Sequence, residues 1–178
     1  LALLGEPGPN TRAGASGLDP IPDIAQALQA LGARSVAVTG GDAIASGSST
    51  DGTRPDIETR FSLDWLQCPE AQGWLCAPRV DTPHHHGTGC TLASAIAAHL
   101  ALGHGAADAC VLGRMVVHHA LMQARPAGAG RGPVIAAAGA LAGPAHGGAP
   151  LPWLGLGREL PWRLLTDAGH GGGSTLTG

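Results

Sequence analysis

Apolar positions near the start of the chain follow two patterns, and each predicts a different element. Within residues 19–32 apolar side chains recur at helical spacing between an Asp-Pro start signal and a closing glycine, which predicts a helix. Its apolar positions are Ile24, Leu28 and Leu31. Residues 36–38 form a short Val-Ala-Val run that predicts a buried strand, and a glycine turn follows it. A helix followed by such a strand indicates an α/β fold.

The middle of the chain predicts two strands and then two helices. Residues 56–63 and 73–80 are expected to form short strands. The connection between these strands would run across Trp65 and Cys68. Residues 91–103 are apolar on nearly every side, so we expect a helix buried against the sheet. A second helix is expected over residues 106–125.

The end of the chain has a different texture. Residues 127–178 are rich in Gly, Pro and Ala and hold no regular period beyond Val134-Ile135-Ala136. We expect a low-complexity tail that is largely disordered, in which Trp153 and Trp162 are the residues able to dock on the domain. Residues 1–126 would then form one folded domain.

The composition excludes several classes of function. All 10 basic residues of the 178 are Arg, so the lysine of a Walker A loop or of a Schiff base is absent. A net charge of -3 and a shortage of aromatic residues argue against nucleic acid as a partner. No apolar run reaches membrane-spanning length, and the four cysteines form no C-x-x-C pair. We therefore expect a cytoplasmic protein that binds neither nucleic acid nor a membrane.

The strongest chemical signal is Gly87-Thr88-Gly89-Cys90, directly before the apolar helix. The glycines let the backbone present consecutive amides, and the first four amides of a helix have no partner within it. The helix dipole adds partial positive charge there, so the segment predicts an anion site that needs no lysine. In the first turn the Cys90 thiol should ionise more readily than usual, which suits a general base or a nucleophile. A plain tight turn with a structural cysteine is the alternative interpretation.

Residues 86–103 closely resemble the signature of the hydroxymethylpyrimidine/phosphomethylpyrimidine kinases, ribokinase-like enzymes of thiamine biosynthesis. They read His-Gly-Thr-Gly-Cys-Thr-Leu-Ala-Ser-Ala-Ile-Ala-Ala-His-Leu-Ala-Leu-Gly. Looser matches precede them in the same order, at Leu3-Leu4-Gly5 and over residues 27–42, so the resemblance covers roughly residues 1–125. It implies the C-terminal half of a three-layer α/β ribokinase-like fold. It also implies ATP-dependent phosphorylation of hydroxymethylpyrimidine and of its monophosphate, with a pyridoxal-type kinase as the alternative.

The resemblance also implies a role for each matching residue. The anion hole for the transferring phosphoryl group would be formed by Gly87, Thr88 and Gly89. The ATP phosphates would lie near Thr39, Gly40 and Gly41. Cys90, where most ribokinase-like kinases carry an Asp, would be the catalytic base. Mg²⁺ would be held by the phosphates and water with no protein ligand, the substrate would be a small molecule, and a homodimer is one candidate assembly.

The chain departs from the family pattern in two places. The family usually has a Lys where Thr39 stands and often a His where Asp42 stands, so a positive phosphate partner is lost and Arg79 is a candidate replacement. The family's glycine-rich pyrimidine-binding segment is not found, and Leu1 to Gly5 resembles a helix cut in its middle. We therefore expect an N-terminally truncated chain, whose turnover by itself is doubtful.

Histidines supply a rival hypothesis of another class. The chain has nine, including His84-His85-His86, so a non-catalytic fragment or a His-rich metal-binding module is the alternative to an enzyme. Neighbouring side chains of an extended segment point in opposite directions, so the three cannot share one ion and we predict no dedicated metal site. His118 and His119 are expected to pack at a helix surface.

Overall fold

The computed structural model describes residue 18, residues 20–40 and residues 61–159. Predictions that fall on Asp19, Gly41, Asp42, Trp162 and residues 1–17 lie outside these residues. The helices are α1 (Ile21–Ala30), α2 (Thr88–Ala101) and α3 (Ala106–Met122). The strands are β1 (Val36–Thr39), β2 (Phe61–Gln67), β3 (Gln72–Pro78) and β4 (Trp153–Leu156). In this part of the chain no helix is long and apolar enough to span a lipid bilayer.

Helix α1 confirms the first predicted helix, although its buried face is shifted so that, of the predicted apolar positions, Leu28 packs against the core. The helix begins after Pro20, and Gly32, at φ +104°, takes the left-handed conformation that closes many helices. Ile21 and Ala25 are buried, whereas Ile24 is 38% and Leu31 is 68% exposed. The sheet therefore contacts the flank of the helix next to the predicted apolar stripe.

The four strands form one antiparallel sheet in the order β1-β2-β3-β4. β2 and β3 form a hairpin that turns over residues 68–71, where the Cys68 amide donates to the Ala71 carbonyl at 2.9 Å. The predicted connection was wrong at Trp65, which lies within β2 and pairs with Trp74 of β3. The prediction of a buried β1 was also wrong in part, because Val36 is buried while Ala37 and Thr39 are exposed. Among the described strands β1 pairs with β2 alone, which explains its exposure.

Helices pack on both faces of this sheet, which gives three layers. On one face the side chains of β2 and β3 meet α1 in a core cluster of buried residues. This cluster includes Leu18, Ile21, Ala25, Val36, Leu63, Trp65, Trp74 and Cys76. On the other face Leu66 and Leu75 pack with Cys68 and with Cys110 of α3. The period-two alternation of β2 thus divides its apolar side chains between two cores.

Helix α2 differs from its prediction. It is apolar on most sides, yet none of its residues is buried and Leu100 is 47% exposed. It packs on α3 rather than on the sheet, and a Cβ added to Gly113 would lie 2.8 Å from Cγ1 of Ile96. The apolar composition of α2 predicted that it would be buried against the sheet. In the described part of the chain it is α3 that packs on this face of the sheet.

Residues 127–159 contribute to the described fold, which differs from the flexible tail expected there. Val134 donates its amide to the His86 carbonyl at 2.9 Å, and Ile135 donates to the Ala120 carbonyl at 3.1 Å. Strand β4 then pairs with β3, with Gly155 opposite Trp74. Trp153, named as a docking residue, lies in this strand and is 49% exposed. Its strand is docked by backbone pairing rather than by burial of the indole.

Candidate active site

A cleft of about 230 Å³ brings together segments that are far apart in the sequence. It is lined by the end of β1, the middle of β2, the residues after β3, the start of α2 and one side of α3. From the predicted site it contains Thr39, Thr88 and Gly89. One residue of the predicted ATP turn and two of the predicted anion hole thus line the same cavity, whereas Gly40 and Gly87 are not among its lining residues.

The predicted anion hole lies at the mouth of α2. Gly87 precedes the first helical residue with φ +89°, a conformation that favours glycine. The Thr88 amide is 3.4 Å from the His85 carbonyl, and the Thr91 amide donates to the Gly87 carbonyl at 2.9 Å. The amides of Gly89 and Cys90 have no backbone acceptor among the described residues. Two adjacent amides at a helix start are thus available to an anion.

The predicted ATP turn is held tightly against β2. The Gly40 amide donates to the Leu63 carbonyl at 2.9 Å and lies 3.3 Å from Oδ1 of Asp64. A Cβ on Gly40 would overlap the same Leu63 oxygen, so the close approach requires glycine. Thr39 is exposed and lines the cleft, whereas Gly41 lies outside the described residues.

The floor of the cleft carries a buried ion pair that the sequence predictions missed. Oδ2 of Asp64 lies 3.0 Å from Nε of Arg114, and each side chain is 10% exposed. The Nε–H is not directed at that oxygen, so the contact is an ion pair rather than a well-aligned hydrogen bond. The Arg114 guanidinium also donates to the hydroxyl of Ser62 through Nη2. The sequence shows each charged residue between apolar neighbours, which indicates burial but not the identity of the partner.

Burial is the largest cause of the pKa shifts of Asp64 and His118. It raises the pKa of the Asp64 carboxyl, while the Arg114 guanidinium and the Gly40 amide act in the opposite direction. His118 also lines the cleft, and burial, then Arg114 and His119, lower the pKa of its imidazole. A hydrogen bond to the Pro78 carbonyl opposes that shift. His118 and His119 are buried, so the prediction that they pack at a helix surface was wrong.

The three consecutive histidines have separate environments. Nδ1 of His84 accepts the Gly132 amide at 3.1 Å, and His85 lines the cleft. His86 is exposed and forms backbone hydrogen bonds with Gly132 and Val134. No cluster of three or more metal-binding side chains occurs among the described residues.

Cys90 lies beside the cleft rather than in it. Its side chain is exposed and lines a shallow depression with Ser94, Val116 and Ala136. Arg79, the candidate replacement for the missing lysine, does line the cleft. Asp64 is the one carboxylate among the described residues that line the cleft, and both of its oxygens face protein donors. Within the described lining of the cleft, Mg²⁺ thus meets no free carboxylate, the kind of oxygen ligand that it prefers.

Comparison with known proteins agrees with the signature at the start of α2. The family model described as phosphomethylpyrimidine kinase matches residues 13–135, which is more than half of the chain. The chain belongs to the phosphomethylpyrimidine kinase family. Its membership accounts for the glycine segment at the mouth of α2 and for the α/β fold of ribokinase-like type.

Individual relatives cover the chain in part. A hydroxymethylpyrimidine/phosphomethylpyrimidine kinase of Streptomyces coelicolor is 44% identical over 73 residues, 41% of this chain and 27% of the relative. The thiamine biosynthesis bifunctional protein ThiED of Geobacter sulfurreducens is 35% identical over 112 residues, 63% of this chain and 20% of the relative. An ADP complex of Bacillus subtilis pyridoxal kinase aligns with a TM-score of 0.54 at 28% identity, over 67% of this chain and 40% of that one. The chain thus spans less than half the length of these proteins.

Proposed function

We propose that this chain is part of an ATP-dependent kinase that phosphorylates hydroxymethylpyrimidine and its monophosphate in thiamine biosynthesis. The observation that carries the proposal is the cleft, in which Thr39 lies with Thr88 and Gly89, and with the guanidinium of Arg114. The family match and the names of the curated relatives support the same chemistry. Free amides and an arginine in one cavity are the groups that typically bind phosphate.

In this proposal the amides at the start of α2, the thiol of Cys90 and the magnesium ion each have a separate role. The amides of Gly89 and Cys90 would receive the negative charge that develops on the transferring phosphoryl group. The exposed thiol of Cys90 would take the proton of the substrate hydroxyl from the open side of the helix start. Mg²⁺, when bound with ATP, would neutralise phosphate charge and be held by the phosphates and water.

A competition assay tests the substrate. The whole kinase of which this chain is proposed to be part is incubated with Mg²⁺-ATP and equal amounts of hydroxymethylpyrimidine and pyridoxal, and the phosphorylated products are measured by mass spectrometry. We expect the pyrimidine monophosphate and diphosphate in excess over pyridoxal phosphate. A preference for pyridoxal would assign the chain to the alternative substrate, and neither product together with no binding of ATP would contradict kinase function.

Substitution of Cys90 tests the proposed base. In that whole kinase, Cys90→Ala should lower turnover strongly while the affinity for ATP stays nearly unchanged, because the amide of residue 90 remains in place. Cys110→Ala is the matched control, since this buried thiol lies against the sheet and outside the cleft. Unchanged turnover in Cys90→Ala would show that the thiol isn't the base.

A further inference from the structure

A chain without lysine needs another cation at the nucleotide phosphates, and the floor of the cleft provides one. Arg114 lies on α3 and Asp64 on β2, fifty residues earlier in the sequence. The guanidinium uses Nε toward Asp64 and Nη2 toward Ser62. The Arg114 side chain also lines the cleft together with Thr39 and Thr88, so the guanidinium borders the space that a bound ligand would occupy.

The carboxylate of Asp64 joins this cation to the predicted ATP turn. Its Oδ2 faces Arg114, while its Oδ1 is within 3.3 Å of the Gly40 amide. Because Asp64 is buried, it has no freedom to leave either partner for solvent. The side chain of Asp64 thus contacts both the guanidinium of Arg114 and the backbone at Gly40.

We propose that Arg114 contacts the phosphates of the nucleotide and that Asp64 is the positioning residue that holds both Arg114 and the Gly40 turn. This role deepens, and rests on, the nucleotide use proposed above. Arg114 supplies a fixed positive charge at the cleft floor. It would take over the role of the lysine that the family usually carries at the position of Thr39. In this proposal the buried ion pair serves to orient a binding group, since burial of a pair by itself stabilises a fold weakly.

Binding of inorganic tripolyphosphate and of Mg²⁺-ADP, measured by calorimetry on the whole chain, tests Arg114. We expect Arg114→Met to weaken both ligands by about tenfold to a hundredfold, since a charge-assisted hydrogen bond is lost. The affinity of Arg114→Met for both ligands should also depend less steeply on salt concentration than the affinity of the wild type. Arg158→Met is the matched control, because it removes an exposed charge paired with Asp23, outside the residues that line the cleft.

The variant Asp64→Asn distinguishes a positioning role of Asp64 from the effect of its negative charge on anion binding. The change removes a negative charge beside the cleft, so charge alone predicts tighter binding of tripolyphosphate. If Asp64 positions Arg114, binding becomes weaker by several-fold instead. In the double variant with Arg114→Met, Asp64→Asn should add no further loss, since the group that it positions is gone.

The outcomes are distinguishable. If the wild type binds neither ligand, the proposed nucleotide function is wrong. If the wild type binds both and Arg114→Met binds them equally well, or if Asp64→Asn binds tripolyphosphate more tightly, the present inference alone is overturned. The near-ultraviolet signal of the Trp65–Trp74 pair, whose rings lie 5.1 Å apart on the opposite face of the sheet, reports whether each variant is folded. Arg114→Lys, which keeps the charge, is the variant to use if Arg114→Met fails this check, and it should weaken binding because lysine cannot reproduce the fork of contacts.

Discussion

Gly40 and Leu63 approach each other so closely that the backbone of one excludes a side chain on the other. The Gly40 amide donates to the Leu63 carbonyl at 2.9 Å, and a Cβ on Gly40 would overlap that oxygen. The contact joins the first residue after β1 to the middle of β2, next to the carboxylate of Asp64. Gly40, a residue predicted to lie near ATP, is therefore held at the sheet by β2.

Gly40→Ala should consequently destabilise the protein. The added methyl group must displace backbone, since the obstructing atom is a carbonyl oxygen, and a cost of about 1–3 kcal/mol is expected for such overpacking. Urea unfolding followed by tryptophan fluorescence measures the change in the free energy of unfolding. Gly130→Ala is the control, because a Cβ there meets no atom within 4 Å. Equal stability of the two variants would mean that the turn is not held against β2.

Gly113 offers a test of how α2 and α3 pack. Alanine in place of glycine within a helix normally stabilises it by about 0.5–1 kcal/mol. Here the new Cβ would lie 2.8 Å from Cγ1 of Ile96 and 3.4 Å from the Ile96 amide nitrogen, so the helices must separate. We expect Gly113→Ala to lower the free energy of unfolding by about 1–3 kcal/mol instead.

A double-mutant cycle checks the cause. Ile96→Ala removes the obstructing side chain, so Gly113→Ala should cost less in that background than in the wild type. Thermal unfolding of the four proteins gives the coupling free energy. Additive effects would show that Gly113 and Ile96 do not share the contact.

The sequence was informative where one residue type fixes local geometry. Gly87 and Gly32 were placed at helix ends from their position beside apolar runs, and both have positive φ. The glycine segment at the mouth of α2 also supported the family assignment, because its spacing with Cys90 is specific. Such signals are local, so one chain without relatives suffices to find them.

The sequence was uninformative where the outcome depends on a distant partner. Nothing near Asp64 indicates that its charge is balanced by Arg114, since the two meet only through the packing of α3 on β2. Likewise the apolar composition of α2 does not state what covers it, and its exposure to solvent was not foreseen. Long-range pairing and layer order require the assembled fold.

Stability should fall on acidification because His118 is buried in its neutral form. Burial, then Arg114 and His119, lower the pKa of His118 in the folded protein below its ordinary value near 6.5. Below that pH the unfolded chain binds a proton that the folded chain does not, so the free energy of unfolding decreases as pH falls from about 6.5. Urea unfolding at a series of pH values measures this slope.

His118→Gln should flatten the dependence, since glutamine does not titrate. His146→Gln, at an exposed position, should leave the slope as in the wild type. A slope that survives in His118→Gln would assign the effect to another group.

The four thiols should differ sharply in reactivity. Cys90 is exposed, whereas Cys68, Cys76 and Cys110 are buried. Burial raises the pKa of each buried thiol, that of Cys110 to about 11, so at pH 8 only about one Cys110 in a thousand is ionised. An aromatic disulfide reagent should therefore label one thiol rapidly in the folded protein and all four in denaturant. Cys90→Ser should abolish the rapid phase, whereas Cys76→Ser should leave it intact. A rapid phase that persists in Cys90→Ser would mean that the start of α2 is not open to solvent as described.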